Sequence, residues 1–167
     1  MRPRVLGAVL RRAMPDDGEA IARVHVQGWR DAYPGIVPQA EIDRRTVAEY
    51  APQWRAWLAE EGKRGFVWDE GRVRGFAVAG PARDDAPAGY PTELYALYVD
   101  RDVHGRGIGR ALFEACRAAT GDAPLALWVL ERNPSRAFYD RMGGRVVARR
   151  DEVVGGALLG EVAYGWR

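Results

Sequence analysis

Between Leu97 and Thr120 the chain reads LYVDRDVHGRGIGRALFEACRAAT, with glycine at three alternate positions, Gly105, Gly107 and Gly109. An aliphatic and aromatic run that suits a strand leads in, and a helix-forming run follows. Glycine in ordered backbone costs conformational entropy, so three of them need a reason. A glycine-rich loop opening a helix turns several backbone N–H groups toward an anion, and the helix dipole adds to the attraction. Arg106 and Arg110 flank the loop and offer charge-assisted bonds. The competing reading is a tight strand-to-helix connection with no ligand. Either way, this unit commits the chain to a mixed α/β fold.

Two nucleotide-binding patterns do not fit. The P-loop needs Lys followed by Ser or Thr, and neither pair is present here. The dinucleotide pattern G-x-G-x-x-G would require glycine at 110 or 112, where Arg110 and Leu112 stand. That pattern also follows a first strand, whereas this loop lies past the chain midpoint.

The rest of the chain falls into elements around the loop. DDGEAIARVHVQGWRDAY predicts a first helix, with Ile21, Val24, His25, Gly28, Trp29 and Ala32 at helical spacing. One or two further helical pieces follow, with Pro52 expected to begin a new turn. GFVWDEGRVRGFAVAG reads as a hairpin turning at Asp69-Glu70-Gly71. TELYALYVD and DAPLALWVL are strands on either side of the glycine-loop helix. ERNPSRAFYDRMGG is a short helix with a Gly-Gly stop. RVVARRDEVV and LLGEVAYGWR close the chain as two strands joined at Gly155-Gly156. The order β-α-α-β-β-β-α-β-α-β-β implies one sheet flanked by helices. With 167 residues and no linker, one domain over 1–167 is expected.

Charge and cysteine usage exclude several classes. The 25 basic and 23 acidic residues leave a net charge of +2, and no basic cluster suggests nucleic acid. The apolar run Val5–Leu10 is too short for a membrane span and lacks a cleavage site. A single cysteine, Cys116, cannot form an internal disulfide and fits a cytoplasmic protein. It reads as a buried residue and lacks a neighbouring base to activate it. Two histidines without a cysteine cluster give no metal site, and His25 reads as a packed side chain.

The loop LYVDRDVHGRGIGRALF resembles the signature of the Gcn5-related N-acetyltransferases, [Gln/Arg]-x-x-Gly-x-[Gly/Ala] after a strand. Here it falls on His104 to Gly109, with His104 departing from the family's Gln or Arg. A second segment, LWVLERNPSRAFYDRMGGRVV, is similar to a later family motif through Asn133, Ala137 and Tyr139. The resemblance covers essentially the whole chain. It implies a mostly antiparallel mixed sheet with a splayed strand pair, and acetyl-coenzyme A as co-substrate. The pyrophosphate would be held by His104, Gly105, Arg106, Gly107, Ile108, Gly109 and Arg110. Leu97, Tyr98 and Val99 would offer backbone groups to the pantetheine arm in a gap beside LALWVL. Asn133 would contact the coenzyme or its water.

Acetyl transfer to an amine requires loss of an amine proton, carbonyl polarisation and protonation of the leaving thiolate. The resemblance makes Tyr139 the general acid; packing beside Phe138 is the alternative. Glu93 is the candidate general base, on a strand whose alternation places Glu93, Tyr95, Leu97 and Val99 on one face. A solvated strand-start glutamate is the competing reading. Trp29 and Tyr33 are expected at the acceptor, in a cavity also rimmed by Trp54 and Trp128, with Tyr33 exposed in a turn. The expected acceptor is a small-molecule amine, attacking directly in a ternary complex without an acyl-enzyme. A protein N-terminus or lysine, or a non-catalytic acyl-CoA sensor, are the alternatives. Homodimers occur in the family, so one is possible by analogy.

Overall fold

The computed structural model describes residues 7–167. Part of the apolar run Val5–Leu10 therefore lies outside the described residues; its end enters the first strand. The elements run β1 (Val9–Arg12), α1 (Gly18–Ala32), α2 (Gln39–Asp43), α3 (Val47–Leu58), β2 (Arg64–Asp69), β3 (Val73–Pro81), β4 (Thr92–Val99), α4 (Ile108–Ala119), β5 (Leu125–Leu130), α5 (Arg136–Arg141), β6 (Arg145–Val154) and β7 (Ala157–Trp166). Short 3₁₀ turns precede α1 and the glycine loop. Pro52 does not start a turn; it sits inside α3. That helix begins earlier because Thr46 caps it, its hydroxyl accepting from the Glu49 amide at 3.3 Å.

The seven strands form one sheet in the order β1-β2-β3-β4-β5-β7-β6. All neighbours are antiparallel except β4 and β5. That parallel pair is matched only at its start, Thr92 with Leu125 and Glu93 with Ala126. Beyond these rungs the two strands part, leaving the backbone of Leu97–Val99 facing a gap. The expected splay is present.

Each face of the sheet is sealed by its own apolar cluster. On one face Ile108, Leu112, Phe113 and Cys116 of α4 and Tyr139 of α5 pack on Leu94, Leu125, Leu127, Val162 and Tyr164. On the other, Ile21 and Val24 of α1 pack on Val67, Phe76 and Val78. Burial of this kind contributes about 25 cal/mol per Å² of apolar surface.

The strand β4 serves both faces through a bulge. Ala79 pairs with Leu94 and Val78 pairs with Ala96, so Tyr95 is an extra residue. Strict alternation would put Tyr95, Leu97 and Val99 together. Instead Leu97 and Val99 join the α4 layer with Leu94, while Tyr95, Ala96 and Tyr98 join the α1 layer. The expected common face is therefore broken, because an unpaired residue reverses the parity of everything after it. The reversal turns Tyr98 onto α1, where only glycine fits: a Cβ at Gly28 would lie 2.4 Å from the Tyr98 ring.

Candidate active site

The gap between β4 and β5 opens into a cleft of about 1400 Å³. One end is the glycine loop. Gly105 and Gly107 hold φ of +79° and +80°, a left-handed conformation that side chains resist. A Cβ at either would meet nothing within 4 Å, so the space above this backbone is open. Gly107 is the N-cap of α4, which aims the first amides of the helix into that space. This fits a pyrophosphate: a concave run of N–H donors with room above it.

Most residues expected at the coenzyme line the cleft: Leu97, Tyr98 and Val99 on the strand, His104, Gly105, Gly107, Ile108, Gly109 and Arg110 on the loop and helix, and Asn133 and Tyr139 beyond. Arg106 does not. Its guanidinium is drawn to Glu70 at 2.6 Å, whose carboxyl it holds below its ordinary value. His104 turns inward, with Nε2 2.8 Å from the Val99 carbonyl oxygen, so it ties the loop to the end of β4. Asn133 spends its amide locally, donating from Nδ2 to the Tyr33 hydroxyl at 3.1 Å and accepting the Ser135 amide at Oδ1 at 2.8 Å.

The middle of the cleft is a cluster of phenols. Tyr33 closes α1 and is buried, not exposed as the turn sequence suggested. Its ring packs on Trp29 at 4.5 Å between centroids, and its hydroxyl neighbours Tyr98 and Tyr139. Burial raises all three phenols above their ordinary value, with neighbouring phenols adding to the shift at Tyr98 and Tyr139. Tyr139 is thus a protonated donor throughout the neutral range. It also packs 5.3 Å from Phe138, so the packing role and a cleft-facing hydroxyl coexist.

Glu93 is not brought to this place. It is buried, is absent from the cleft wall, and both its oxygens are taken by Arg83, at 2.7 Å for Oε1 and 3.1 Å for Oε2, with the Arg83 amide adding a third bond at 3.0 Å. Trp54 is also elsewhere. It lines a smaller cavity of about 470 Å³ with His25, Trp57 and Tyr95. There the Trp54 indole N–H donates to His25 Nδ1 at 3.1 Å, which leaves the imidazole proton on Nε2. Burial, then Arg45, lowers His25 to about 4, so the ring is neutral.

The far end of the cleft holds groups that the sequence reading missed. Arg45 lies over the Trp29 ring at 3.6 Å and pairs with Glu41 at 2.8 Å. Its buried Nε has no hydrogen-bond partner among the described residues. Glu161 projects from β7, beside Trp128 of β5, which was expected at this rim and is here. A carboxylate alternating with Ala163 and Gly165, opposite the apolar Val162, Tyr164 and Trp166, was the available signal for Glu161. The tip of the β6–β7 hairpin meets α2, since a Cβ at Gly155 would lie 2.7 Å from that of Glu41. Cys116 is buried under α4, and desolvation raises its thiol to about 12. Among the described residues no His, Cys, Asp and Glu cluster could hold a metal ion, and no helix is long and apolar enough to cross a membrane.

A glycine cradle at a helix start, feeding a gap in a splayed sheet, is the architecture of a coenzyme A-dependent acyltransferase. Residues 52–143 match the model of the acetyltransferase (GNAT) domain. The chain is 34% identical over 166 residues to the uncharacterized N-acetyltransferase YuaI of Bacillus subtilis, covering 94% of this chain and 91% of that one. It is 30% identical to the peptidyl-lysine N-acetyltransferase YjaB of Salmonella typhimurium, over 85% of this chain and 86% of that one. The PaiA N-acetyltransferase of Thermoplasma acidophilum, solved with coenzyme A, superposes with a TM-score of 0.67 at 18% identity, covering 94% and 98% of the two chains. The chain belongs to the GNAT family and is an N-acetyltransferase.

Proposed function

We propose that this chain transfers the acetyl group of acetyl-CoA to the primary amine of a small molecule, by direct attack in a ternary complex. What carries the reading is the continuity of one cleft from the glycine loop, through the β4–β5 gap, to a chamber walled by Trp29, Tyr33, Trp128 and Glu161. The close approach of Gly155 to Glu41, both lining that cleft, supports a walled chamber over an open groove.

The coenzyme supplies an activated acetyl group and a thiolate leaving group. Gly105, Gly107, Ile108 and Gly109 offer backbone N–H donors to its pyrophosphate, and the β4 backbone at Leu97–Val99 takes the pantetheine arm as an added strand. Tyr139 gives its hydroxyl proton to the departing sulfur. No covalent enzyme intermediate forms, because the one thiol is buried and held protonated. Trp29 and Tyr33 orient the acceptor, with Tyr33 fixed by Asn133. The name of the Salmonella relative keeps lysine side chains as the second reading.

The test is thiol release from acetyl-CoA against a panel of small primary amines and a panel of lysine and N-terminal peptides. Turnover confined to small amines supports the reading. Turnover confined to peptides, or no thiol release with either panel, overturns it.

A further inference from the structure

Three carboxylates line the cleft, and two are spent. Glu41 binds Arg44 and Arg45 at 2.5 and 2.8 Å, and Asp31 accepts from Gln27 at 3.0 Å on the exposed side of α1. Glu161 differs. Its Oε2 accepts from Arg150 Nε at 2.7 Å, while its Oε1 has no protein hydrogen bond among the described residues. Arg150 is itself immobilised, with Nη1 bound to Asp85 at 2.8 Å and the guanidinium stacked on Trp128 at 4.0 Å. The carboxylate is therefore held by one oxygen and open at the other, in the same cleft as the Tyr33 hydroxyl that Asn133 fixes.

The groups around it are few. Arg150 faces it from β6, with Glu152 4.0 Å from that guanidinium and Asp85 on its other side. Tyr33 from α1 and Glu41, Arg44 and Arg45 from the α2 segment line the same cleft. A primary alkylamine arrives at neutral pH as an ammonium, without a lone pair. It needs a carboxylate to bind its charge and to take a proton.

We propose that Glu161 is the acceptor site's catalytic base, its open oxygen binding the ammonium and removing one proton. This rests on acetyl transfer to an amine as the reaction. The proton passes from nitrogen to Glu161 Oε1 and later to solvent. The freed electron pair forms the nitrogen–carbon bond to the acetyl group, and the carbon–sulfur bond breaks with its pair on sulfur. Tyr139 protonates that sulfur and is restored by the second excess proton from nitrogen. Ammonium and thioester become amide, thiol and one released proton. The acceptor class that follows is a cationic primary amine; an uncharged alcohol of the same shape binds poorly.

The experiment is the pH dependence of kcat/KM for the amine in wild type, Glu161→Gln and Glu161→Asp, with coenzyme A affinity measured alongside. Glu161→Gln should lose about 100-fold or more in kcat/KM at neutral pH, the size of a general-base contribution. Its coenzyme A affinity should stay within about threefold, and its loss should shrink toward high pH, where the amine is already neutral. Glu161→Asp should recover part of the loss, and it serves as the working variant should the glutamine form not fold. A Glu161→Gln profile parallel to wild type and within threefold of it sinks the assignment. So does an aspartate variant no better than glutamine. Absence of wild-type turnover with any amine sinks the proposed function instead.

Discussion

The two ends of the cleft are built from different material. At the proposed coenzyme end the groups on offer are backbone amides of Gly105 to Gly109 and of β4, held by left-handed glycines and a helix start. At the proposed acceptor end they are side chains, Trp29, Tyr33, Trp128 and Glu161, delivered by three separate elements. Backbone recognition tolerates change at side chains and fails with backbone geometry. Side-chain recognition fails residue by residue.

Substitutions separate these two behaviours. The largest effect is expected between the ends, at Tyr139. Tyr139→Phe should lower kcat by about 100-fold or more, as loss of a general acid does, with coenzyme A affinity unchanged within about threefold. Equal turnover would remove the hydroxyl from the chemistry.

Next is pH, acting on the aromatic nest behind the acceptor end. His25 is lowered from 6.5 to about 4, so the unfolded chain binds a proton that the folded one refuses. Stability is full above pH 6.5 and should fall by up to about 3 kcal/mol as pH drops toward 4, given about 1.4 kcal/mol per unit. Urea unfolding at the two pH values reads this, and His25→Phe should flatten the slope.

Glu93→Gln tests a carboxylate that sits outside both ends. Weakening its bonds to Arg83 should cost about 1–3 kcal/mol of stability while the pH–rate profile keeps its wild-type shape. A lost acid limb would return Glu93 to the chemistry.

At the coenzyme end, Gly107→Val forces a branched side chain to φ +80°. About 1–3 kcal/mol of strain should appear as coenzyme A binding weakened roughly 10- to 100-fold in calorimetry. The smallest effect is His104→Ala. It removes the side-chain bond to the Val99 carbonyl and leaves the loop's backbone amides in place, so binding should weaken by no more than about fivefold, near 1 kcal/mol. A large loss at His104 together with a small one at Gly107 would invert the comparison.

This division also explains what the sequence disclosed. Glycines at 105, 107 and 109 are visible because the backbone they shape is contiguous in the chain, and the strand order follows from hydrophobic period and turns. The acceptor end is assembled across more than 130 residues, from Trp29 to Glu161, and no local pattern announces it. Tyr33 reads as exposed beside Pro34 and Gly35 because nothing nearby indicates that Asn133, 100 positions on, donates a hydrogen bond to its hydroxyl. Glu93 was misplaced for a subtler reason. Alternation is counted from sequence, while the bulge that resets it comes from pairing with β3.

That bulge makes β4 sensitive to length in a way composition does not convey. With Tyr95 present, the strand changes phase, giving Leu94, Leu97 and Val99 to one layer and Ala96 and Tyr98 to the other. Removing Tyr95 would close the bulge and leave a regular strand with Leu97, Tyr98 and Val99 on the layers they already face, whereas losing Leu97 with the bulge kept would shift Tyr98 off Gly28 and swing Val99 away from α4. For anyone recombining or grafting this strand among relatives, residue count from Ala96 to the glycine loop is the quantity to preserve, ahead of residue identity.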